Sequence, residues 1–172
     1  MVARWRPVHL GHAPVLRGLG QVGREVLIGI GSSNRYNARN PFTAAEAEAM
    51  IRLVMEGRQN FTILEVPDLD DGPKWREMVL ELFGSLAAFV TDNPYVASLL
   101  ENDYRIIRPV SLVPEAQRCP IDGTMVRRAM ARGDDWKELV PPPVARLISG
   151  GGLDHRFRKE FGLQTLALEA GL

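Results

Sequence analysis

The chain has 172 residues, the length of one domain that buries a core without disulfides or structural metals. Hydrophobic residues make up 45% and charged residues 24% of it, a composition that excludes disordered and fibrous proteins. Lysine plus arginine number 21 and aspartate plus glutamate also number 21, so the overall charge indicates no nucleic-acid partner.

Cysteine content and hydropathy bear on location. The single cysteine, Cys119, excludes an intramolecular disulfide framework and is typical of a reducing compartment. No apolar run approaches the roughly 18 to 20 residues that span a bilayer, and no stretch has the pattern of a signal-peptide core. We therefore expect a cytoplasmic protein without a membrane partner.

Short apolar strands alternate with longer helical patterns, which is typical of a parallel sheet covered by helices on both faces. The predicted strands are a short Met1–Ala3, Glu25–Ile30, Phe61–Val66, Ala87–Thr91 and Tyr104–Arg108. The predicted helices are about His12–Leu19, Thr43 to about Met55, Lys74–Phe83, Pro94 to about Glu101, Met125–Arg132, Asp134–Leu139 and a C-terminal helix from near Asp154. Four or five such βα units predict an α/β, doubly wound, Rossmann-like fold.

Two helix starts carry capping patterns. In Thr43-Ala44-Ala45-Glu46, the Thr43 hydroxyl and the Glu46 carboxylate can satisfy free amides at the start of a helix, which is a capping box. Thr124 is expected to cap the basic helix Met125–Arg132.

The chain is expected to form one main domain with a terminal helix. Gly150-Gly151-Gly152 is a flexible glycine segment that is expected to separate the domain from a terminal helix. We interpret residues 1–150 as the Rossmann-like domain and residues 151–172 as a C-terminal helical tail that packs on the same domain.

The sequence His9-Leu10-Gly11-His12 lies between the first predicted strand and the first predicted helix. Doubly wound folds bind ligands beyond the carboxyl ends of their strands, which is where this sequence is expected to lie. Gly11 lets the main chain approach a phosphate, the helix N-terminus offers free N–H groups, and the imidazoles donate hydrogen bonds. Four arginines and no acidic residue precede Glu25, which favours a basic site facing an anion: Arg4, Arg6, Arg17 and Arg24.

Two other interpretations of the histidine pair stay open on the residues alone. A His-x-x-His pair also occurs as half of a metal site or as two incidental surface histidines. The metal interpretation is weakened because only His155 and Cys119 remain as soft ligands, and neither has a partner nearby in the sequence.

The opening sequence from Arg4 to His12 resembles the first motif of the archaeal-type nicotinamide mononucleotide adenylyltransferases, within the nucleotidyltransferase superfamily that carries His-x-Gly-His. Further similar segments follow in the family's order: Gly31-Ser32, Asn40-Pro41-Phe42-Thr43-Ala44 with Glu46, Trp75, Asn93-Pro94, Gly123 to Arg128, and Asp135-Trp136 through Leu139-Val140-Pro141. The matches span about residues 2–150, and their combination is specific although each piece is short.

The resemblance implies that nicotinamide mononucleotide (NMN) condenses with ATP to give NAD and pyrophosphate, with Mg²⁺ accompanying ATP. It implies that His9, His12 and Arg127 are catalytic residues that hold the phosphates. The implied ATP-binding residues are Arg4, His9, Gly11, His12, Gly123, Thr124 and Arg127. Trp75 and Asn93 are implied to bind the acceptor, and no protein metal ligand is expected. Relatives often form multimers, so a homo-oligomer is a further expectation.

Several of these residues also have a structural interpretation. Arg127 and Arg128 lie on one predicted helix with Arg132, and a basic stripe is usually a solvated helix face. The alternative role of Trp75 is to pack its helix on the sheet. The alternative role of Asn93 is to initiate the turn that follows it.

Three positions depart from the family pattern. Asp122 stands where a serine commonly precedes Gly-Thr, and its carboxylate would repel ATP phosphates unless it turns away or faces Mg²⁺. Ala47 stands where the family usually has an arginine. Arg6 replaces a glutamine and is expected to return positive charge close by.

Two alternative functions remain beside NMN adenylylation. One is a sister nucleotidyltransferase with another phosphorylated acceptor, such as nicotinate mononucleotide, a pantetheine phosphate or flavin mononucleotide, and the region of Trp75 and Asn93 would decide between them. The other is a nucleotide-binding homologue without turnover, which Asp122 and Ala47 motivate.

Overall fold

The computed structural model describes residues 1–170, in which parallel strands and helices alternate as predicted. The strands are β1 (Val2–Ala3), β2 (Val26–Gly31), β3 (Phe61–Val66), β4 (Phe89–Val90) and β5 (Ile106–Ile107). The helices are α1 (His12–Gly20), α2 (Ala44–Val54), α3 (Gly72–Phe83), α4 (Pro94–Leu100), α5 (Gly123–Arg132), α6 (Pro142–Gly150) and α7 (Leu153–Ala170). The predicted α/β, Rossmann-like fold class is confirmed, including its short first strand.

The hydrogen-bonded strands form a three-stranded sheet in the order β1-β2-β3 and a two-stranded sheet of β4 and β5, and all of these pairs are parallel. At the two ends of β2, Val26 pairs with Phe61 and Gly31 pairs with Val66. Parallel pairing places the carboxyl ends of β1, β2 and β3 at one edge, where doubly wound folds bind their ligands.

Strand β2 is covered on both faces because its alternate side chains enter two different hydrophobic clusters. Ile28 and Ile30 are fully buried in the larger cluster, to which α1, α2, α5, α6 and α7 all contribute. Leu27 packs against the smaller cluster. On the same face as Leu27, a Cβ at Gly29 would lie 3.0 Å from the Phe83 ring. Each fully buried isoleucine contributes about 1.5–3 kcal/mol to stability.

One of the two predicted helix caps is confirmed and the other is wrong. The Thr43 Oγ1 accepts from the Glu46 N–H at 3.2 Å and the Glu46 Oε2 accepts from the Thr43 N–H at 2.9 Å, which completes the capping box. Helix α5, however, is capped by Asp122, whose Oδ1 accepts from the N–H groups of Thr124 at 2.7 Å and Met125 at 2.9 Å. A carboxylate at that position accepts hydrogen bonds from two free amides, and its negative charge is stabilised by the positive end of the helix dipole. Helix α5 therefore begins before Thr124.

The C-terminal region contains a helix that the sequence did not predict. Helix α6 carries Pro142 and Pro143 in its first turn, where a missing N–H costs no helical hydrogen bond. The helix expected over Asp134–Leu139 is a short 3-10 helix, Trp136–Leu139. Helix α7 packs along α5 and α6, and its Phe157 is fully buried in the larger cluster. Within residues 1–170, no helix combines the length and the apolar character needed to cross a membrane.

Candidate active site

A cavity of about 900 Å³, here called the main cavity, opens at the carboxyl edge of the sheet. Ala3 and Gly31, at the ends of β1 and β2, and Thr91, just after β4, lie in its wall. The side chains or backbones of all nine predicted site residues line it: Arg4, His9, Gly11, His12, Trp75, Asn93, Gly123, Thr124 and Arg127. The fold therefore gathers residues from five segments of the chain around one space.

His9 and His12 stack on each other at the start of α1. Their ring centroids are 3.6 Å apart with planes inclined by 27°, and the His12 ring also lies 4.7 Å from the ring of Trp5. The N–H groups of His12 and Ala13 both donate to the His9 carbonyl, at 2.9 Å and 3.1 Å, which holds His9 against the first turn. In the described part of the chain, the Nδ1 atoms of both histidines are buried without a hydrogen-bond partner.

Both histidines are neutral at pH 7 in this environment. Burial lowers the pKa of His9 to about 4, with Arg127 adding to the effect and Asp122 opposing it. Burial, and then the charge of His9, hold the pKa of His12 well below its usual value. The pair therefore offers hydrogen bonds to an incoming anion rather than fixed positive charge.

Two glycines permit the close packing between the His9–His12 segment and the start of α5. A Cβ on Gly11 would lie 2.2 Å from the carbonyl oxygen of Ile121, so a side chain there would displace the loop before α5. A Cβ on Gly123 would lie 2.9 Å from Nη1 of Arg127. The absence of both side chains lets the two motifs share one wall of the main cavity.

Arg127 is buried, with 9% of its surface exposed, and does not lie on a solvated helix face. Its Nη1 donates to the carbonyl oxygen of Arg6 at 3.2 Å and its Nη2 donates to the Thr124 Oγ1 at 3.3 Å. The pKa of Arg127 is lowered to about 10, chiefly by burial and also by the charges of Arg4 and Arg39, while Asp122 opposes these effects. The side chain therefore remains charged at pH 7 and is held in one orientation.

The carboxylate of Asp122 caps the N-terminus of helix α5. Because its Oδ1 accepts from the main-chain N–H groups of Thr124 and Met125, both amides are occupied within the helix cap. The Thr124 side chain still lines the main cavity.

The wall of the main cavity also contains an aromatic ring and an amide side chain. Trp75, on α3, is half-buried and packs against the smaller hydrophobic cluster while it lines the cavity. Asn93 caps α4, because its Oδ1 accepts from the Tyr95 N–H at 3.0 Å. The structural interpretations of both residues are therefore confirmed, and each also lines the main cavity.

Curated archaeal proteins are similar to this chain over most of its length. The nicotinamide-nucleotide adenylyltransferase of Picrophilus torridus is 34% identical over 152 residues, which cover 86% of this chain and 88% of that protein. The proteins of the same name from Methanothrix thermoacetophila and Thermococcus kodakarensis are each 33% identical, again over 86% of this chain and over 86% and 79% of their own lengths. The chain belongs to the nicotinamide-nucleotide adenylyltransferase family. No family model matches it.

Membership in the nicotinamide-nucleotide adenylyltransferase family confirms the resemblance seen in the sequence and makes this chain an enzyme of the nucleotidyltransferase class. The comparisons do not favour a sister enzyme for another acceptor or a binding protein without turnover.

The residue before Ala47 pairs with a cation from another helix. Ala47 is fully buried in the larger cluster. Glu46 beside it pairs with Arg156 of α7, whose Nη1 and Nη2 donate to the two carboxylate oxygens at 2.7 Å each. The Arg156 Nη2 also donates to the Pro41 carbonyl at 3.2 Å. Sequence reasoning missed Arg156 because nothing in its own segment indicates a partner 110 residues away.

Arg6, at the family's glutamine position, is buried, and its charge interacts with that of Glu46, the residue before Ala47. It is 2% exposed, and its Nη1 donates to the carbonyl oxygens of Ser32 at 3.0 Å and Arg35 at 2.9 Å. Burial lowers its pKa below the usual value. Next to it, the Trp5 Nε1 donates to the Gly29 carbonyl at 2.9 Å. By these hydrogen bonds, the side chains of Trp5 and Arg6 hold the first motif against β2 and the loop that follows β2.

Proposed function

We propose that this protein transfers the adenylyl group of ATP to NMN, which yields NAD and pyrophosphate. The observation that carries the proposal is the main cavity, whose wall contains the His9–His12 segment and Arg127 together with Trp75 and Asn93. The printed names of the relatives, nicotinamide-nucleotide adenylyltransferase, support the same acceptor.

The proposed chemistry needs alignment and charge stabilisation rather than a general base. A phosphate oxygen of NMN attacks the α-phosphorus of ATP, and the bond from that phosphorus to the oxygen bridging to the β-phosphate breaks. The electron pair of that bond leaves with pyrophosphate. A phosphomonoester has a second pKa of about 6, so the nucleophile is already largely ionised at pH 7. Neutral His9 and His12 are therefore suited to positioning the phosphates by hydrogen bonds.

Arg127 is proposed to supply the fixed positive charge near the departing pyrophosphate. Its guanidinium is held by Arg6 and Thr124 and keeps further N–H donors for phosphate oxygens. Arg4 is exposed, lines the same cavity and is proposed to contact the phosphates as well.

Trp75 and Asn93 are proposed to recognise the nicotinamide end of NMN. The indole of Trp75 offers a face on which a flat ring can stack. The carboxamide of Asn93 uses its oxygen in the helix cap, so its NH₂ group is the part that would donate to the acceptor.

We propose that Mg²⁺ enters with ATP. Among the side chains that the structure describes, those of residues 1–168, no three histidine, cysteine or acidic side chains lie close enough to hold a metal ion between them. Mg²⁺ in nucleotide sites is usually held by phosphate oxygens, waters and one or two carboxylates, and carboxylates such as those of Asp68 and Asp92 line the main cavity and fit that mode. The ion would neutralise part of the negative charge on the triphosphate. Activity should therefore fall to background when EDTA exceeds the metal and return when Mg²⁺ is added.

We also propose a cytoplasmic location and a homo-oligomeric state. The single cysteine supports a reducing compartment. On α7, Leu163 is 86% exposed and Leu168 is 52% exposed, which supports contact with a second copy. Cell fractionation and light scattering test the two expectations, and a strictly monomeric protein at micromolar concentration would contradict the second.

A panel of acceptors tests the main proposal. Purified protein with Mg²⁺ and ATP is offered NMN, nicotinate mononucleotide, a pantetheine phosphate or flavin mononucleotide, and release of pyrophosphate is measured for each. NMN should give the highest kcat/KM, with NAD as its product. Adenylylation of another acceptor without formation of NAD would overturn the assignment. Binding of ATP without pyrophosphate release on any acceptor would favour a protein without turnover.

A further inference from the structure

Tyr95, the second residue of α4, brings a further aromatic ring to the main cavity. The residue is 60% exposed. Nine large hydrophobic residues are exposed in the described part of the chain, and of these only Tyr95 lines the main cavity. An exposed ring in the wall of a ligand cavity is a surface that a ligand can cover, because burial of its apolar area is favourable.

The position of the Tyr95 ring depends on Gly72, the first residue of α3. A Cβ on Gly72 would lie 2.2 Å from the Tyr95 Oη, 3.2 Å from its Cζ and 3.3 Å from Cδ2 of Leu99. The hydroxyl end of the tyrosine therefore lies directly on the first turn of α3, where a larger residue would displace it. The main chain of Tyr95 is fixed as well, because its N–H donates to the Asn93 Oδ1 at 3.0 Å.

Trp75 and Tyr95 border the same part of the cavity wall. Trp75 follows Gly72 by three positions on α3, so the two residues share a face of that helix, and both line the main cavity. The ring of Tyr95 lies against Gly72 on that face. A planar group that stacks on the indole of Trp75 would therefore also meet the ring of Tyr95.

The charged residues of the main cavity are divided between its segments. The lysine and arginine residues described in its lining all come from the first motif and α5: Arg4, Arg6 and Arg127. The loops before α3 and α4 contribute only carboxylates: Asp68, Asp70, Asp71 and Asp92. The ion-pair partners of these carboxylates do not line the cavity: Arg35, Lys74 and Arg108. A positively charged ring beside Trp75 and Tyr95 would therefore meet no cationic side chain from these segments in the lining.

We propose that Tyr95, together with Trp75, selects the acceptor by the positive charge of its ring, and so favours NMN over its reduced form, NMNH. The inference rests on the adenylyl transfer proposed above. The ring of NMN is a cationic pyridinium, whereas the dihydropyridine ring of NMNH is uncharged and keeps the same amide, ribose and phosphate. The quadrupole of an aromatic face attracts a cation and leaves a neutral ring without that attraction. Tyr95 is accordingly a specificity-determining residue.

Steady-state kinetics with ATP, Mg²⁺ and either NMN or NMNH measure this selectivity as the ratio of the two kcat/KM values. Wild type should favour NMN about tenfold. Tyr95→Leu, which removes the aromatic face, should lower the ratio about threefold. Tyr95→Phe, which keeps the face and removes the hydroxyl, should stay within about twofold of wild type, as should the KM for ATP in both variants. Tyr36→Leu is the matched control, because Tyr36 is an exposed tyrosine outside the cavity lining, and its ratio should equal that of wild type.

Gly72→Ala tests the contact without replacing the tyrosine. The added Cβ would displace the hydroxyl end of the ring, so the ratio should fall towards that of Tyr95→Leu. Alanine is also the better helix former, so α3 should still form. Combining Gly72→Ala with Tyr95→Phe removes the oxygen that the Cβ would meet at 2.2 Å, and the double variant should recover part of the ratio. A ratio for Gly72→Ala equal to that of wild type would overturn the placement of the ring.

The remaining outcomes separate this inference from the proposed function. Formation of NAD with equal ratios in Tyr95→Leu and wild type, or with an equal loss in Tyr36→Leu, would overturn the inference and leave the function untouched. A loss in Tyr95→Phe as large as in Tyr95→Leu would assign the effect to the hydroxyl and also overturn it. If wild type forms no NAD, calorimetric titrations with NMN and NMNH still compare the two rings. Tighter binding of NMN that depends on Tyr95 would then retain the selectivity and overturn the proposed function.

Discussion

The Nη1 atom of Arg127 donates a hydrogen bond to the main-chain carbonyl oxygen of Arg6 across 3.2 Å, which joins two motifs that lie 121 residues apart. Arg6 in turn donates to the carbonyl oxygens of Ser32 and Arg35. One series of buried contacts therefore connects α5, the first motif and the loop after β2. Hydrogen bonds to charged groups in such places contribute about 1.5–3 kcal/mol each. The geometry of the main cavity depends on this series.

We expect His12→Ala to lower the rate far more than it weakens acceptor binding. Loss of a hydrogen bond to the transferring phosphate should reduce kcat by about 10²- to 10³-fold, whereas the KM for NMN should change less than about threefold. Stopped assays of NAD formation measure both constants. His155→Ala serves as the control, because His155 is exposed on α7. Turnover equal to wild type in His12→Ala would contradict the proposed role.

The buried histidines should make the protein sensitive to acid. The pKa of His9 is about 4 in the folded state and about 6.5 in an unfolded chain. Since the unfolded chain then binds the proton more tightly, stability is fully present above about pH 6.5 and falls as the pH decreases towards 4. His9 alone should cost about 2 kcal/mol between pH 7 and pH 5, and His12 acts in the same direction.

Urea unfolding at pH 7, 6 and 5 measures this dependence. His9→Asn should flatten the decrease in the free energy of unfolding, because the residue that titrates is gone. His155→Gln should keep the slope of the wild type, because this histidine is exposed. Equal slopes in His9→Asn and wild type would show that the lowered pKa of His9 does not govern acid stability.

Gly11→Ala should destabilise the fold as well as the site. The added Cβ would lie 2.2 Å from the Ile121 carbonyl oxygen, so the loop before α5 must move. Overpacking of this kind costs about 1–3 kcal/mol, and the displaced loop should also reduce kcat. Gly150→Ala is the matched control, since a Cβ there meets no atom within 4 Å. Thermal unfolding measures the Tm of each variant. A Tm for Gly11→Ala equal to that for Gly150→Ala would disprove the close contact.

Replacement of Trp75 should act on the acceptor alone. Trp75→Leu keeps apolar packing against the smaller cluster but removes the face on which nicotinamide would stack. A base–aromatic stack is worth about 1–3 kcal/mol, so the KM for NMN should rise about tenfold while the KM for ATP stays within about twofold. Met78→Leu, on the same helix, should change neither constant. If Trp75→Leu raised the KM for ATP more than the KM for NMN, the acceptor would not bind against Trp75.

Local patterns were sufficient for much of the fold. Strand β3 has the predicted bounds, Phe61–Val66, because a short segment rich in apolar and β-branched residues lies between polar segments. The Thr43–Glu46 capping box is likewise a local device and was confirmed. Prediction failed at α5, where Asp122 replaced Thr124 as the cap, since both residue types cap helices and only the surrounding loop decides between them. Helix α6 was missed because its first-turn prolines resemble a break.

The sequence by itself determined the fold class, the family and the identity of the predicted residues that line the main cavity. Hydrophobic periodicity and short motifs depend only on residues that are close together in the sequence. Tertiary structure alone decided which charges meet. It buried Arg127 against Arg6 and paired Arg156 with Glu46. These contacts join residues 110 or more positions apart. Burial and Coulomb interactions depend on distance in space, and sequence spacing does not contain that distance.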